Sequence, residues 1–400
     1  MGEWKLCKLK DICKTNASSY SSNDNYSFVN YLDTGNITQN VIDEIQFIDI
    51  EKDKLPSRAK RKVKYNSILY STVRPNQLHY GIIKEQPENF LVSTGFTVID
   101  VNNELADADY IYYYLTRYEV TESMQAIGEQ STSAYPSIKA SDLEDLDIIL
   151  PSLDEQKKIA HFLKSLDVKI TMNTKINNNL LEQAMTLFLT EIRMSRNIES
   201  VTLGSIADIK GGKRLPKGIN LISTPNTHPY IRVRDLNNAI FASLNTDYEF
   251  VDNETQKGIS RYIVSEGDVL LSIVGTIGLT AIVDKSLESA NLTENCVKIT
   301  NLQRIFPEYL LLYLRSKEGQ EEISKGTVGA VQLKLPIKNI QAISVPIINE
   351  EQTISLREIL VPIFTQISNN ISETKELMSI RNILLPKLIS GELDVTNIDV

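Results

Sequence analysis

Basic side chains gather at three places in this sequence, each nearly free of acids. Between Lys52 and Lys64 stand Lys52, Lys54, Arg58, Lys60, Arg61, Lys62 and Lys64 against Asp53 alone. Lys210, Lys213, Arg214 and Lys217 follow with no acid, interleaved with Gly211, Gly212 and Pro216. Lys325, Lys334 and Lys338 span a further stretch without Asp or Glu. Basic loops rich in glycine suit phosphate groups, because backbone amides and side chains can both approach an anion. Any one patch alone reads as an ordinary solvated loop. Their confinement to two similar halves of the chain favours the anion-binding reading.

Potential readers of nucleotide bases lie on other loops of the same halves. Ser71–Tyr80 carries Arg74, Asn76 and Gln77, whose guanidinium and amide groups match the donors and acceptors of base edges. The corresponding Ser272–Gly278 is less polar and offers Thr276. Gly128–Tyr135 adds Gln130, Ser131, Ser133 and Tyr135, and corresponds loosely to Gly326–Gln332 with Thr327 and Gln332. The phosphate candidates are Lys60, Arg61, Lys62, Lys210, Lys213, Arg214, Lys217 and Lys325. A shared frame with different side chains predicts two surfaces that read different sequences.

Bond-making chemistry finds no such support. The chain has no GxxxxGKS/T phosphate loop, no GxGxxG, no HExxH and no GxSxG. His79, His161 and His228 are scattered. Cys7 and Cys13 lack a second cysteine pair or nearby histidines for a zinc site, and read as buried thiols. A Glu-x-Lys nuclease motif needs a strand beside a second acid. Glu155–Gln156–Lys157 and Glu373–Thr374–Lys375 match in letters but fall on helical stretches, where they read as solvated charges. The chain is expected to be non-catalytic and to hold no metal.

The elements that position these loops follow from length and repetition. Four hundred residues exceed one ordinary core and predict at least two domains. With 42% hydrophobic and 23% charged residues the chain is globular. Its net charge of −9 disfavours a polyanion, which makes the local gathering of base the informative feature. No run approaches the roughly 18 apolar residues of a membrane span, and the N-terminus has no signal-peptide core. A soluble, cytoplasmic protein without a membrane partner is expected.

The chain repeats itself with a period near half its length. Leu9–Lys10–Asp11–Ile12 recurs as Leu203–Gly204–Ser205–Ile206, and Asn66–Ser71 as Gly267–Ser272. Asp109–Leu115 recurs as Glu308–Leu314, and Pro151–Ile159 matches Pro346–Ile354 without a gap. Each half predicts a mixed part, with strand-like runs such as Val92–Val101 and Gly267–Val274 and a short helix at 109–116 or 308–315. A helix of about 60 Å follows, over roughly 154–194 or 350–390, with Asp154 or Asn349 as its cap.

In the first helix Ile159, Leu163, Leu166, Ile170, Leu180, Ala184 and Leu187 keep a four-three spacing, with Asn173 and Asn177 on the same line. In the second the line is Leu356, Leu360, Ile363, Ile367, Asn370, Thr374, Leu377, Arg381 and Leu384. Such a stripe is the seam of a coiled coil. Antiparallel pairing sets Asn173 and Asn177 level with Asn370 and Thr374, a polar layer that penalises slipped registers. The competing phase turns the Asn residues to solvent and gives the seam to Ile176 and Leu181. Pro362 should bend the second helix near its start.

The whole chain resembles the specificity subunit of a type I restriction-modification system. The resemblance is carried by Leu150–Ile159, its copy Val345–Ile354, Leu384–Leu393, Glu266–Ser272 and Val274–Gly278. One departure is Glu351 where the family has Gln, as at Gln156. The resemblance implies an α+β fold: two mixed target-recognition domains separated by a long intramolecular antiparallel two-helix coiled coil, the whole duplicated about a pseudo-twofold. The first domain takes residues 1–150 and its spacer helix 151–197; the second takes 198–346, with its spacer helix and tail over 347–400. Each domain would read half of a bipartite target in double-stranded DNA. The helices would recruit two methylation subunits and, through them, restriction subunits. Cofactors would then lie outside this chain, as S-adenosylmethionine, ATP and Mg in the other subunits. The rival is a coiled-coil scaffold whose duplicated domains bind protein; it would show no salt-sensitive binding to duplex DNA.

Overall fold

The computed structural model describes residues 4–131 and 135–393. It divides into two compact units, one of residues 1–170 and 376–400 and the other of residues 171–375. Each unit thus takes a globular module and one part of each long helix.

In the first unit, strand Lys5–Lys8 pairs antiparallel with Asp147–Leu150, closing the module's ends on each other. A one-turn helix, Leu9–Ile12, then buries Leu9 and Ile12. The main sheet runs Cys13–Thr15, Phe96–Val101, Ile68–Ser71 and Tyr80–Ile82, all antiparallel. A second sheet runs Gln46–Asp49, Phe28–Leu32, Phe90–Ser93 and Ala59–Lys62, with Phe28–Leu32 and Phe90–Ser93 parallel. The single strand expected over 92–101 is therefore two, broken at Thr94–Gly95 and assigned to different sheets.

The second unit repeats the frame. Glu199–Thr202 pairs with Ser344–Ile347, followed by the helix Leu203–Ile206. Its main sheet runs Asp208–Gly211, Cys296–Thr300, Val269–Ser272, Thr280–Val283 and Phe241–Ala242. Its second sheet is reduced to the parallel pair Tyr230–Ile231 and Asn291–Leu292. The short helices are duplicated down to their hydrogen bonds. Tyr110 and Tyr114 of Ala108–Leu115 donate to the carbonyls of Ile149 (3.0 Å) and Asp147 (2.6 Å). Tyr309 and Tyr313 of Pro307–Arg315 donate to the equivalent carbonyls of Pro346 (2.7 Å) and Ser344. Burial raises the pKa of all three of Tyr110, Tyr309 and Tyr313, so the phenols stay protonated donors.

The long helices span Leu153–Met194 and Glu350–Ile389. Ser152, not Asp154, caps the first: its hydroxyl accepts from the Glu155 N–H, and the Glu155 carboxylate accepts from the Ser152 N–H. Asn349 caps the second through the Gln352 N–H at 2.8 Å. These caps are 197 residues apart, so the ungapped match of Pro151 with Pro346 is two residues out of phase with the structure. Ile159, fully buried, corresponds to buried Leu356; its letter-match Ile354 is 53% exposed. The second helix continues through Pro362, which is exposed.

Candidate nucleic-acid interface

In the first unit, two loops meet beside the open end of the main sheet. Val73 bridges Ser137, the Arg74 N–H donates to the Pro136 carbonyl at 2.9 Å, and the Ile138 N–H donates to the Thr72 carbonyl. Ser71 fixes the first loop by donating its hydroxyl to the Val73 carbonyl. Arg74 sits in the left-handed region at φ 49°, a conformation that is uncommon for a residue with a Cβ and that glycine adopts without cost. Its guanidinium stacks 4.4 Å over the ring of Tyr135, which is 55% exposed. Asn76 and Gln77 are exposed on the following turn, Pro75–Gln77. Gln130 is exposed and half-buried Ser131 lies beside it, its hydroxyl donating to the Tyr135 carbonyl at 3.4 Å. The predicted readers Arg74, Asn76, Gln77, Gln130, Ser131 and Tyr135 thus share one surface; Ser133 lies outside the described residues.

The second unit builds the same junction with other side chains. Val274 bridges Lys334, the Leu335 N–H donates to the Ile273 carbonyl, and the Ser272 hydroxyl donates to the Thr276 carbonyl. Superposed by these bonds, Arg74 answers to Gly275, left-handed at φ 80°, and Tyr135 answers to Gln332. Thr276 and Gln332 are exposed, whereas the Thr327 hydroxyl donates to its own helix at Ile323 and is not presented outward. Val331 stands fully exposed at the tip of the hairpin closed by Val328 and Lys334.

The basic patches are less free than their sequence suggests. Lys62 pairs with Asp24 and lies 5.8 Å from the Tyr26 ring, and its ammonium holds Asp24 below the usual carboxylate range. Lys52 pairs with Asp49 at 2.6 Å and Lys64 approaches Asp100 at 3.8 Å. Arg61 is half-buried. Arg214 pairs with Glu294 at 2.6 Å, Lys210 lies 3.7 Å from Asp208, and Lys325 pairs with Glu322 at 2.7 Å. Lys213 lies 5.5 Å from the Tyr262 ring. Among the described residues, Lys54, Arg58, Lys60, Lys217, Lys334 and Lys338 make no ion pair and are exposed. Strand Ala59–Lys62 is held against Ser18–Tyr20, not against the Arg74 loop.

On the helices, Asn173, Asn177 and Asn370 are buried, at 1%, 8% and 6% exposure, while Ile176 is 42% exposed. The phase that would turn the Asn residues to solvent is excluded. The Asn370 side-chain amide donates to Asn177 Oδ1 at 2.8 Å, and the Asn173 amide donates to Glu373 at 2.7 Å and to Thr374 Oγ1 at 3.3 Å. Farther along, Gln352 donates to Glu191. Partner numbers fall as helix numbers rise, so segments 171–194 and 350–375 run antiparallel. The seam steps aside at two places. Phe188 is buried in place of Leu187, which is 41% exposed, and Phe364 is buried where Ile363 was expected. Nor are residues 373–375 solvated charges. Glu373 receives Asn173, and the half-buried Lys375 donates to Ser243 Oγ and the Leu244 carbonyl, with burial lowering its pKa. Gln156, fully buried, accepts from the Asp107 N–H.

Two contributors were missed. Gln125, on helix Tyr118–Glu129, accepts the Asn76 N–H at 3.3 Å and so steadies the reader turn. Its only sequence signal is a Gln–Glu pair four apart, with Glu129. Val331, fully exposed and apolar, has no sequence signal that sets it apart from a core valine. Among the described residues no cluster of His, Cys, Asp or Glu could hold a metal.

Residues 1–182 and 195–377 each match the family described as the type I restriction modification DNA specificity domain. The chain is 24% identical over 467 residues to the type I restriction enzyme HindI specificity subunit of Haemophilus influenzae, covering 98% of this chain and 100% of that protein. It is 23% identical over 441 residues to the MjaIX specificity subunit of Methanocaldococcus jannaschii, covering 98% and 94%. The solved type I restriction-modification S subunit from M. genitalium superposes with a TM-score of 0.56 over 96% of each chain, at 16% identity, a likeness of fold.

Proposed function

Because the chain belongs to the family of type I restriction modification DNA specificity domains and carries two of them, we propose that each module reads one half of a bipartite double-stranded DNA target. The long helices form an antiparallel coiled coil that holds the modules at a set separation and leaves the intervening base pairs unread. The same helices recruit two methylation subunits, and restriction subunits through them. Those partners bring S-adenosylmethionine, ATP and Mg; this chain supplies the address and no catalytic group.

The observation that carries this reading is the duplicated loop junction with unlike occupants. A left-handed position held by Gly275 in one module is held by Arg74 in the other, so the shared frame presents a long basic side chain in one module and none in the other. An arginine stacked on an exposed tyrosine is oriented for bidentate contact with a guanine edge. Val331 in the other module offers an apolar surface suited to a thymine methyl. Lys60 and Lys217 supply phosphate contacts; the paired lysines do not. With a net charge of −9 and part of each basic patch held in ion pairs, the isolated chain binds DNA weakly and gains affinity from its recruited subunits.

The test is to map methylated adenines in a host expressing this chain with its methylation subunits, for the parent and for Arg74→Ala. The parent should give one bipartite motif. The variant should relax one half-site and keep the other. An unchanged motif would remove Arg74 from the reading surface, and binding insensitive to salt would favour the protein scaffold.

A further inference from the structure

The two long helices repeat each other at an offset of 197 residues, and most buried positions keep their character across it. Ile159 answers to Leu356, Leu163 to Leu360, Ile170 to Ile367 and Asn173 to Asn370. One set does not. In the first unit Asp167 pairs with Arg381 at 2.7 Å. The equivalent positions are Phe364 and Ala184, both buried in the second unit's core. Tyr113 completes the polar set by donating its hydroxyl to Asp167 at 2.8 Å. Its counterpart on the second short helix is Leu312, which is buried in the same apolar cluster as Phe364 and Ala184. A whole group of mutual contacts is polar in one unit and apolar in the other.

The surroundings deepen the contrast. Burial opposes the charge of Arg381, and Asp167, with Tyr112 and Tyr80, more than restores it. Burial and Asp167 together raise the Tyr113 phenol, which remains a donor. Tyr112 answers to Leu311, which again is buried among apolar side chains.

Helices this similar have three possible pairings: first with second, first with the first of another copy, and second with the second of another copy. At the same register, first with first sets Asp167 opposite Ala184, and second with second sets Arg381 opposite Phe364. Either leaves a half-buried charge without its partner, which costs far more than an exposed one. The Asn173, Asn177, Asn370 and Thr374 layer cannot make this distinction, because it meets Asn or Thr in every pairing. That layer selects register; something else must select partner.

We propose that the Asp167–Arg381–Tyr113 set specifies the partner: it makes the first helix pair with the second and disfavours self-pairing with the same helix of another copy. The inference holds whatever the modules and helices bind.

The test uses the full chain with a protease site inserted between Asn197 and Ile198, in exposed chain after the first long helix. The protein is purified folded, cut, and left to exchange fragments, and native mass spectrometry counts unlike and like pairs. The parent should give unlike pairs. Asp167→Phe with Arg381→Ala installs the second unit's residues in the first and should raise the share of like pairs roughly tenfold or more. Asp167→Arg with Arg381→Asp should keep unlike pairs, because the charges still match only across the two helices. Thermal unfolding of the uncut proteins checks that each folds. Arg381→Ala alone, which leaves self-pairing of the second helix unpenalised, serves if the double variant does not, and should raise the share of second-with-second pairs. A share of like pairs unchanged from the parent in the apolar variant, or equally raised in the charge-reversed one, would overturn the proposal.

Discussion

Asn370 donates its side-chain amide to the Asn177 carbonyl oxygen at 2.8 Å, with both residues buried between the two long helices. Deep amides that satisfy each other cost stability relative to leucine but make every slipped register place an amide against an apolar side chain. Asn173 extends the layer to Glu373 and Thr374. A layer placed near the middle of both helices suits the setting of their alignment.

Replacing Asn173, Asn177, Asn370 and Thr374 together with Leu should therefore raise the midpoint of thermal unfolding by several degrees while blurring the methylated motif, with more than one spacer length appearing. Calorimetry and methylome mapping on the same variant separate the two effects. A sharper or unchanged motif would remove the register role.

Arg74→Ala should weaken binding to duplexes carrying the cognate first half-site by about 1–3 kcal/mol, with little change for duplexes altered there. Arg74→Lys should recover little of it, since an ammonium neither stacks on Tyr135 nor makes a planar bidentate contact. Equilibrium titration against a panel of half-site variants reads both. Equal weakening across the panel would make Arg74 a phosphate contact.

Lys60→Ala and Lys62→Ala should differ although the residues are two apart. Lys60 is exposed and without an ion pair, so its loss should reduce the slope of log affinity against log salt by about one. Lys62 is tied to Asp24 beside Tyr26, so its loss should lower thermal stability and leave the slope nearly unchanged. Identical slopes for the two variants would contradict this division.

Asp235 is pushed up to about 6, chiefly by burial, against the opposing charge of Arg234. A carboxyl whose pKa rises on folding contributes stability below its unfolded value near 4, and that contribution is lost as pH rises through 6. Asp235→Asn keeps the acceptor for the Arg232 N–H and removes the charge. It should stabilise the protein by about 1–3 kcal/mol at pH 8, with the gain vanishing toward pH 4. Denaturant titrations at both pH values measure it; an equal effect at each would assign it to packing.

What the sequence made legible was whatever repeats or keeps a period. The tandem plan and both long helices follow from spacing alone; the Asn layer belongs to one of the two helix phases that the spacing allows, and burial decides between them. What it hid depended on partners distant in the chain. Lys62 reads as free base until Asp24, 38 residues away, is brought beside it. Lys375 reads as a solvated charge until Ser243 and Leu244 receive it. The helix phase failed only where an aromatic neighbour pulled the seam aside, at Phe188 against Tyr309 and at Phe364 against Phe241. The left-handed conformation of Arg74 had no sequence signal, because nothing but its bonded loop imposes it.

The most direct measurement concerns the ruler. Seven residues, one full repeat of the four-three seam, are inserted into both long helices at matching positions. At 1.5 Å per residue the helices lengthen by about 10 Å, or roughly three base pairs of duplex. Methylated adenines are then mapped in a host that supplies the methylation subunits. The expected result is a motif with both half-sites unchanged and a longer unread spacer. A motif with altered half-sites and the original spacer would contradict the central claim, since it would mean that the helices do not set the distance between the reading modules.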